Sequence, residues 1–269
     1  MIKMVNPMII RYNYPEEAKC FDLNAETPER GMAIKMSVVE KKIGNHVVYI
    51  SDSPKELREL KERALPVIAL LTEENKAADL SFVHYAVESA EDVDEAFAQK
   101  VYCRANHQPV IVARDEELYL REFLLTDDDD IREIYDGDRE GFLERFFDND
   151  AELEDYLKSY IENHYDFYGY GMWAICKVES GKVIGMGGFS AREGFDETPD
   201  TALEIGFAIK ENERGKGYAT RACRLMKEYA EREVEDAGIF AVTREENLAA
   251  RRVLEKVHIF TKYDRILKD

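Results

Sequence analysis

The sequence predicts an α/β protein of two domains, and three observations lead to that fold class. Short apolar segments alternate with helix-like segments between residues 46 and 113, as in small domains whose strands are mostly parallel. A strand-like segment at 203–209 leads through a glycine-rich turn into a helix-like segment at 221–234. Hydrophobic residues make up 45% of the 269 residues, which is enough apolar material for two buried cores.

The N-terminal elements are predicted from apolar runs and helix-start signals. Strands are predicted at residues 46–50, 66–71, 82–87 and 110–113, with a helix after residue 53 and another at 91–105. The second helix carries its apolar residues on one face. Residues 1–113 are therefore predicted to form a small α/β domain, and residues 114–117 a linker to a second domain at 116–269.

The second domain continues the alternation of strands and helices. Residues 179–182 predict a hairpin turn, and the glycine cluster at 185–188 lies in the strand after it. Four aspartates at 127–130 precede a helix-like segment at 131–135, and negative charge is stabilised at a helix N-terminus. We interpret the run as a cap and a solvated acidic turn, because no further metal ligands are indicated in other segments.

A phosphate site is predicted in the turn that follows residues 203–209. Two glycines, Gly215 and Gly217, let the backbone approach a ligand closely because neither has a Cβ. The first amides of the helix that follows lack intrahelical partners, and the helix dipole favours an anion there. The residues therefore predict a ligand that carries phosphate.

Two common glycine-loop motifs do not fit this turn. A P-loop requires Ser or Thr after Gly-Lys, whereas Gly217 follows Gly215 and Lys216. A dinucleotide fingerprint requires glycines that open a helix. The only other glycine cluster, at 185–188, runs into residues 189–194, which have no helical periodicity. Neither motif is therefore predicted.

The spacing Arg214-x-x-Gly217-x-Ala219 stands among strand-like and helix-like segments at 119–121, 173–175, 183–185, 203–209, 239–243 and 252–256. This combination resembles the GNAT N-acetyltransferases, whose acetyl-CoA pyrophosphate loop reads R/Q-x-x-G-x-G/A. The resemblance covers about residues 116–260 and is closest to the branch of the ribosomal-protein N-terminal acetyltransferases. It implies the GNAT mixed sheet with flanking helices, acetyl-CoA as co-substrate, an amine acceptor and no metal.

The resemblance also assigns the cofactor site residue by residue. In this fold the fourth and fifth strands splay apart, and the pantetheine arm lies in the gap like an added strand. The implied pantetheine and acetyl contacts are Phe207, Ala208 and Ile209, and Asn247 matches an asparagine that contacts the CoA arm. The implied pyrophosphate contacts are Arg214, Gly215, Lys216, Gly217, Tyr218, Ala219 and Thr220.

Glu204 is the predicted catalytic residue. A protonated amine cannot attack a thioester, so a base must remove a proton, often through a water molecule. Glu204 interrupts an apolar strand between Leu203 and Ile205, and members of the family often have a base or water-ordering Glu there. A strand Glu that faces outward and forms a salt bridge is the alternative.

The chain departs from the family where a general acid is often found. Ser three residues after Asn247, or Tyr seven residues after it, is replaced by Ala250 and Leu254. His258 stands where the family has a glycine, which favours a structural role for that histidine. Three alternatives follow: the thiolate leaves without a dedicated acid, Tyr263 or a pocket tyrosine supplies the proton, or catalysis is weak or lost.

The charge distribution bears on the partners. The formal net charge is −19, of which residues 1–115 carry −4 and residues 116–269 carry −15. Such a surface repels nucleic acid phosphates and anionic lipids and attracts cations. We expect a cationic acceptor and no nucleic acid partner, although a role in solubility explains the charge equally well.

Membrane, secreted and metal-binding classes are not predicted. No apolar run approaches the ~20 residues of a membrane helix, and residues 1–7 lack a signal-peptide pattern. The cysteines are widely spaced, which argues against structural zinc and a disulfide scaffold: Cys20, Cys103, Cys176 and Cys223. We expect a cytoplasmic protein with no membrane partner.

The role of residues 1–113 is not apparent from the sequence. Residues 48–70 faintly resemble a late segment of haloacid-dehalogenase-like phosphatases, in which an acid such as Asp52 helps to bind magnesium. Those enzymes also need a D-x-D nucleophile, and residues 1–45 contain none. Asp52 or Ser51 is better explained as a helix cap. We expect a non-catalytic module that packs on the transferase or mediates a homodimer.

Two functions follow from these predictions. The first is an N-acetyltransferase that moves the acetyl group directly, in a ternary complex, to a peptide N-terminus or a small cationic amine. The resemblance places the aromatic-rich stretch at 142–170 beside the acceptor pocket. The alternative is a non-catalytic regulator that binds acyl-CoA.

Overall fold

The computed structural model describes residues 38–191, 202–234 and 238–263. The chain divides between residues 110 and 111 into two compact units. The predictions made for residues 1–37, namely that they contain no signal peptide and no D-x-D nucleophile, lie outside the described residues.

The first unit is a four-stranded sheet with two helices. Its order is β1-β2-β3-β4; β1 pairs antiparallel with β2, whereas β2, β3 and β4 are parallel. The described elements are β1 Val38–Ile43, β2 His46–Ser51, α1 Pro54–Glu62, β3 Val67–Leu70, β4 Ala86–Val87 and α2 Glu95–Ala105. The predicted α/β unit with mostly parallel strands is confirmed.

The cap of α1 is Ser53 and not Asp52 or Ser51. The Ser53 side chain accepts a hydrogen bond from the backbone N–H of Glu56, and Pro54 occupies the first turn, where its missing N–H costs nothing. The Ser51 hydroxyl donates to the Glu56 carboxylate at 2.9 Å and accepts from the Ser53 N–H at 3.1 Å. The loop after β2 therefore satisfies its own polar groups.

The strand predicted at 82–87 is reduced to the two residues of β4. Only Ala86 and Val87 pair with β3. Phe82 and Val83 both pack against the apolar cluster around α1. Consecutive residues of a strand point to opposite faces, so a segment that directs both side chains into one cluster does not continue the strand.

The second unit is a seven-stranded mixed sheet in the order β11-β10-β9-β8-β7-β6-β5. Neighbours from β5 to β9 are antiparallel, and β9, β10 and β11 are parallel. Its strands are β5 Ile111–Arg114, β6 Leu118–Arg121, β7 Met172–Lys177, β8 Val183–Ala191, β9 Leu203–Ile209, β10 Ile239–Thr243 and β11 Phe260–Tyr263. Its helices are α3 Asp128–Asp136, α4 Asp150–Ser159, α5 Tyr165–Tyr168, α6 Tyr218–Glu233 and α7 Leu248–Lys256. The predicted mixed sheet with flanking helices is confirmed.

The strand predicted at 110–113 as part of the first domain belongs to the second sheet. It is β5, and it pairs antiparallel with β6 at the sheet edge. The Asp115 carboxylate accepts hydrogen bonds from the backbone N–H groups of Glu117 and Leu118, each at 2.8 Å. This side chain closes a hairpin turn at the residues that were predicted to form a linker.

The aspartate run is not a solvated turn throughout. Asp127 is buried, and its two carboxylate oxygens bind the Arg121 guanidinium at 2.7 and 2.8 Å. The same carboxylate accepts from the Leu124 N–H at 2.8 Å. A buried carboxylate is stable in such a paired geometry, and the partner that buries Asp127 lies on β6, outside the local acidic run.

No helix of the described residues is long and apolar enough to cross a membrane. In the same part of the chain, no group of three His, Cys, Asp or Glu side chains is placed to hold a metal ion. Cys176 and Cys223 are buried free thiols, and burial raises the pKa of Cys176 to about 11.

Candidate functional site

A notch opens between the two central parallel strands of the second sheet. β9 and β10 pair only at Leu203 with Ile239 and at Glu204 with Phe240. β9 continues to Ile209, bonded to β8 along its whole length. Its other edge, from residue 205 onward, has no strand partner among the described residues. An unpaired strand edge presents N–H and C=O groups that an extended, amide-bearing ligand can bind.

The residues of β9 divide between the two faces of the sheet. Phe207 lies opposite Gly187, whose Cβ would lie 3.1 Å from Met226 of α6, so α6 packs on the face that carries Phe207. Glu204 and Ala208 are on the other face, because side chains alternate along a strand. Phe207 and Ala208 are half-buried and Ile209 is buried. All three predicted contact residues therefore lie on the unpaired part of β9.

Glu204 lies at the point where the notch begins. It is half-buried, it belongs to the last residue pair between β9 and β10, and its cross-strand partner on β8 is Ser190. The directly opposed side chains of such a pair lie about 5 Å apart at Cβ. The predicted base is thus beside the open strand edge and next to an exposed hydroxyl.

The predicted pyrophosphate loop has the backbone that its glycines suggest. Gly215 and Gly217 have φ angles of 77° and 88°, in the left-handed region that only glycine adopts without cost. A Cβ on either residue would meet no atom within 4 Å. Glycine is therefore required by the backbone conformation, and the space above the loop is open.

The start of α6 presents free backbone donors beside this loop. Gly217 is the N-cap and no side chain caps the helix. The N–H groups of Tyr218, Ala219 and Thr220 have no acceptor among the described residues. The orphan amides of a helix start form an anion site, and the dipole of a 16-residue helix adds to it.

The two basic side chains of the loop are already engaged. The Arg214 guanidinium donates through Nε to the Ile209 carbonyl at 2.9 Å and through Nη2 to the Gly137 carbonyl at 3.0 Å. The Lys216 ammonium binds Glu213 at 2.8 Å. Hydrogen bonds from Lys216 and Lys177 lower the pKa of the Glu213 carboxyl. Both side chains keep further N–H groups, whereas the backbone amides of residues 218–220 have no protein acceptor among the described residues.

Asn247 caps α7, directly after β10 and its short connecting turn. Its Oδ1 accepts from the Ala250 N–H at 3.0 Å. Ala250 and the buried Leu254 provide no proton donor at the positions where relatives often have one. His258 follows the helix with φ of 56°, so the position that is glycine in the family keeps a left-handed backbone here. The Tyr263 side chain lies outside the described part of the structure.

An aromatic layer borders the sheet face that carries Glu204. The Met172 backbone is held by two hydroxyls of this layer: Tyr160 accepts from its N–H at 2.7 Å and Tyr165 donates to its carbonyl at 2.5 Å. The Met172 sulfur would lie 4.0 Å from a Cβ on Gly206 of β9. Successive ring contacts join Tyr135, Phe147, Phe146, Tyr156, Tyr160, His164 and Tyr168.

His164 is a candidate residue that the sequence analysis missed. It ends a π-helical turn, Tyr160–His164, and stacks on Tyr160 at 4.2 Å. Burial lowers the pKa of His164, and its Nε2 is buried without a hydrogen-bond partner among the described residues. His164 lies four residues from both Tyr160 and Tyr168, a spacing that places the three side chains on one face of a helix. The spacing does not indicate a π turn. Such turns are frequent at functional sites.

A family model matches the part of the chain that carries this site. Residues 117–259, more than half of the chain, match the model of the acetyltransferase (GNAT) domain. The uncharacterized N-acetyltransferase YjdG of Bacillus subtilis (strain 168) is 26% identical over 102 residues, which are 38% of this chain and 58% of that protein.

Two solved structures are also similar to part of this chain. The acetyltransferase (GNAT family) from Bacillus anthracis is 20% identical, with a TM-score of 0.46 over 54% of this chain and 81% of its own. The Salmonella typhimurium acetyl transferase that modifies the N-terminal serine of the 50S ribosomal subunit protein L7/L12 has a TM-score of 0.45. It is 20% identical, and the match covers 55% of this chain and 83% of that one. With the family model matched over most of the second unit, the chain belongs to the GNAT acetyltransferase family.

Proposed function

We propose that the second unit transfers an acetyl group from acetyl-CoA directly to a primary amine in a ternary complex. The notch between β9 and β10 carries this proposal, because it joins an unpaired strand edge to a loop with free helix amides. The strand edge suits the amides of the pantetheine arm, contacted by Phe207, Ala208 and Ile209. The amides at residues 215–220 suit the pyrophosphate, and Asn247, the N-cap of α7 after β10, is the proposed contact to the CoA arm.

Glu204 removes the proton that the amine must lose. The nitrogen lone pair of the neutral amine attacks the thioester carbonyl carbon, so an N–C bond forms and the C–S bond breaks. The attacking nitrogen loses its second proton as the tetrahedral intermediate collapses, and the CoA sulfur leaves as a thiolate that takes up one proton. The products are the N-acetylated amine, free CoA and one proton released to solvent. Backbone N–H groups on the open edge of β9 are suited to stabilise the oxyanion.

The departing thiolate does not need an acid on α7. A thiol has an ordinary pKa of about 8.5, so its thiolate is a far better leaving group than an alkoxide. Ala250 and Leu254 are consistent with a proton that comes from solvent or from protonated Glu204. This reading favours turnover over loss of catalysis.

The acceptor is proposed to be a cationic amine, either a peptide N-terminus or a small polyamine-like molecule. The net charge of −15 on residues 116–269 concentrates cations near the site. The aromatic layer beside Glu204 offers ring faces that attract cations. Acceptor pockets vary widely within one fold, so the two acceptor classes must be compared directly.

The first test is CoA thiol release from acetyl-CoA across peptides, polyamines, amino acids and aminoglycosides. Release with one class supports the enzyme and identifies its acceptor class. CoA binding without release for any acceptor supports the alternative function, a non-catalytic acyl-CoA-binding regulator. Absence of CoA binding overturns both.

For the first unit we propose a non-catalytic role in assembly. The loop after β2, where a phosphatase-like acid was considered, is occupied by hydrogen bonds among Ser51, Ser53 and Glu56. Analytical ultracentrifugation of the full chain tests the proposed homodimer, and a monomer at all concentrations would exclude it.

A further inference from the structure

We infer that Arg214 and Lys210 are positioning residues that fasten the pyrophosphate loop to helix α3, and that the Arg214 guanidinium does not contact the phosphates. The inference rests on the proposed function, because it concerns how that site is held. Family resemblance alone groups Arg214 with the phosphate contacts, whereas its side-chain geometry gives it another role.

The Arg214 guanidinium joins three parts of the second unit. Nε binds the carbonyl of Ile209, the last residue of β9, and Nη2 binds the carbonyl of Gly137, the C-cap of α3. A guanidinium is a rigid planar fork, so two bonds to separate carbonyls fix its orientation. A cation is also favoured at the C-terminal end of a helix dipole. These bonds direct the side chain toward the protein backbone.

Lys210 makes the second attachment at the residue that follows β9. Its side chain is 8% exposed, and the ammonium lies between the carboxylates of Asp130 and Glu133 on α3, at 2.6 Å from Glu133. Removal of the buried ammonium would leave two like charges together, although the carboxylates of Asp130 and Glu133 are 35% and 54% exposed and solvent screens part of their repulsion. A third contact, between Arg139 and Glu211 at 2.9 Å, is exposed and contributes little.

These attachments compensate for a loop that contains two glycines. Ordering one residue costs about 1–2 kcal/mol of backbone entropy, and Gly215 and Gly217 allow many conformations in a free loop. A loop already fixed to α3 binds its ligand without that cost. Since α3 also packs on β8, these contacts hold the loop in a fixed position relative to the sheet that carries Glu204.

The deciding experiment separates the effect of the positive charge at residue 214 from the effect of its two hydrogen bonds to backbone carbonyls. CoA affinity is measured by calorimetry at low and high salt for the wild-type chain, Arg214→Lys and Arg214→Gln. A lysine keeps the charge but cannot bridge two carbonyls, so both variants should bind CoA about tenfold more weakly. The salt dependence of each should match the wild type, because no charge–phosphate contact is lost. Wild-type affinity in Arg214→Lys, with a weaker salt dependence in Arg214→Gln, would overturn the inference.

A second measurement decides the inference without any cofactor. Hydrogen exchange of the full chain should be faster at residues 211–217 and at the end of α3 in Arg214→Lys and in Lys210→Gln. Lys216→Gln is the matched control, since the described ion pair of Lys216 is with Glu213 in the same loop at 2.8 Å and not with α3, and exchange at the end of α3 should match the wild type. Unchanged exchange in Arg214→Lys contradicts the positioning role. If the wild type binds no CoA, the proposed function fails, and exchange still tests the attachment.

Discussion

Two glycine-rich segments of the second unit need glycine for opposite reasons. Gly215 and Gly217 in the loop have positive φ angles, and a Cβ there would meet nothing within 4 Å. The strand segment 185–188 has no positive φ, but a Cβ on Gly188 would lie 2.0 Å from the carbonyl oxygen of Gly171. The loop needs glycine because of its positive φ angles, although it has open space around it. The strand segment needs glycine because a side chain would clash with the neighbouring backbone. Gly44 and Gly141 combine a positive φ with open space in the same way, so the difference shows that the loop has room for a ligand, and the free amides at the start of α6 are what distinguish it from other turns.

The largest expected effect is the loss of CoA affinity on substitution of a glycine in the pyrophosphate loop. Gly217→Glu should abolish CoA binding, because a carboxylate beside the free helix amides repels the pyrophosphate and like charges in contact cost several kcal/mol. The positive φ adds about 1–2 kcal/mol of strain. Calorimetric titration with CoA measures the affinity, and urea unfolding measures the strain.

Gly181→Glu is the matched control for that variant. Gly181 has φ of 69° in the exposed turn between β7 and β8, where a Cβ would only touch the Tyr119 hydroxyl at 3.7 Å. It should lose similar stability and keep its affinity for CoA. Equal loss of CoA affinity in both variants would mean that strain, and not the loop, controls binding.

The strand segment should respond through stability alone. Gly188→Ala forces a methyl group into the Gly171 backbone, and overpacking of this kind costs about 3 kcal/mol at the upper end of its usual range. Gly206→Ala is the control, because Gly206 lies directly opposite Gly188 and its Cβ would meet only the Met172 sulfur at 4.0 Å. Urea unfolding of the two variants measures the difference. Equal stability of both would refute the packing explanation.

Glu204→Gln tests the predicted catalytic residue, which pairs with Ser190 on β8 and lies where the open edge of β9 begins. Removal of a general base should lower kcat about 100-fold, and the isosteric amide should leave CoA affinity unchanged. Steady-state kinetics with the acceptor found in the thiol-release panel provide the measurement. Unchanged turnover removes Glu204 from the mechanism.

Local patterns were sufficient where the signal lies within one segment. The bounds predicted for Leu203–Ile209 and Ile239–Thr243 are those observed, because each is an apolar run between turn signals. The left-handed glycines of the loop follow from their place between a strand and a helix. The roles of Phe207 and Asn247 in binding remain predictions.

Side-chain partners account for the features that the sequence analysis missed. Asp127 is buried because Arg121 on β6 neutralises it, and β5 joins the second sheet because Asp115 closes a hairpin. The side chain of Arg214 is committed to the Gly137 carbonyl, 77 residues away in the chain. The partners of Asp115 and Asp127 are near in the chain but are not marked by apolar periodicity, and only the partner of Arg214 required the folded chain.

The smallest expected effect concerns a third packed glycine, Gly171, whose Cβ would lie 2.9 Å from the His164 ring. Burial lowers the folded-state pKa of His164 below its ordinary value of about 6.5. As the pH falls from 7 to 5, the unfolded chain therefore binds a proton that the folded chain does not, and the free energy of unfolding decreases. His164→Phe keeps the stacked ring and removes the titration, so its urea stability should fall less over this pH range. Carboxylates titrate alike in the wild type and the variant. Parallel curves of stability against pH would show that His164 is protonated as readily in the folded chain as in the unfolded chain, which contradicts the prediction.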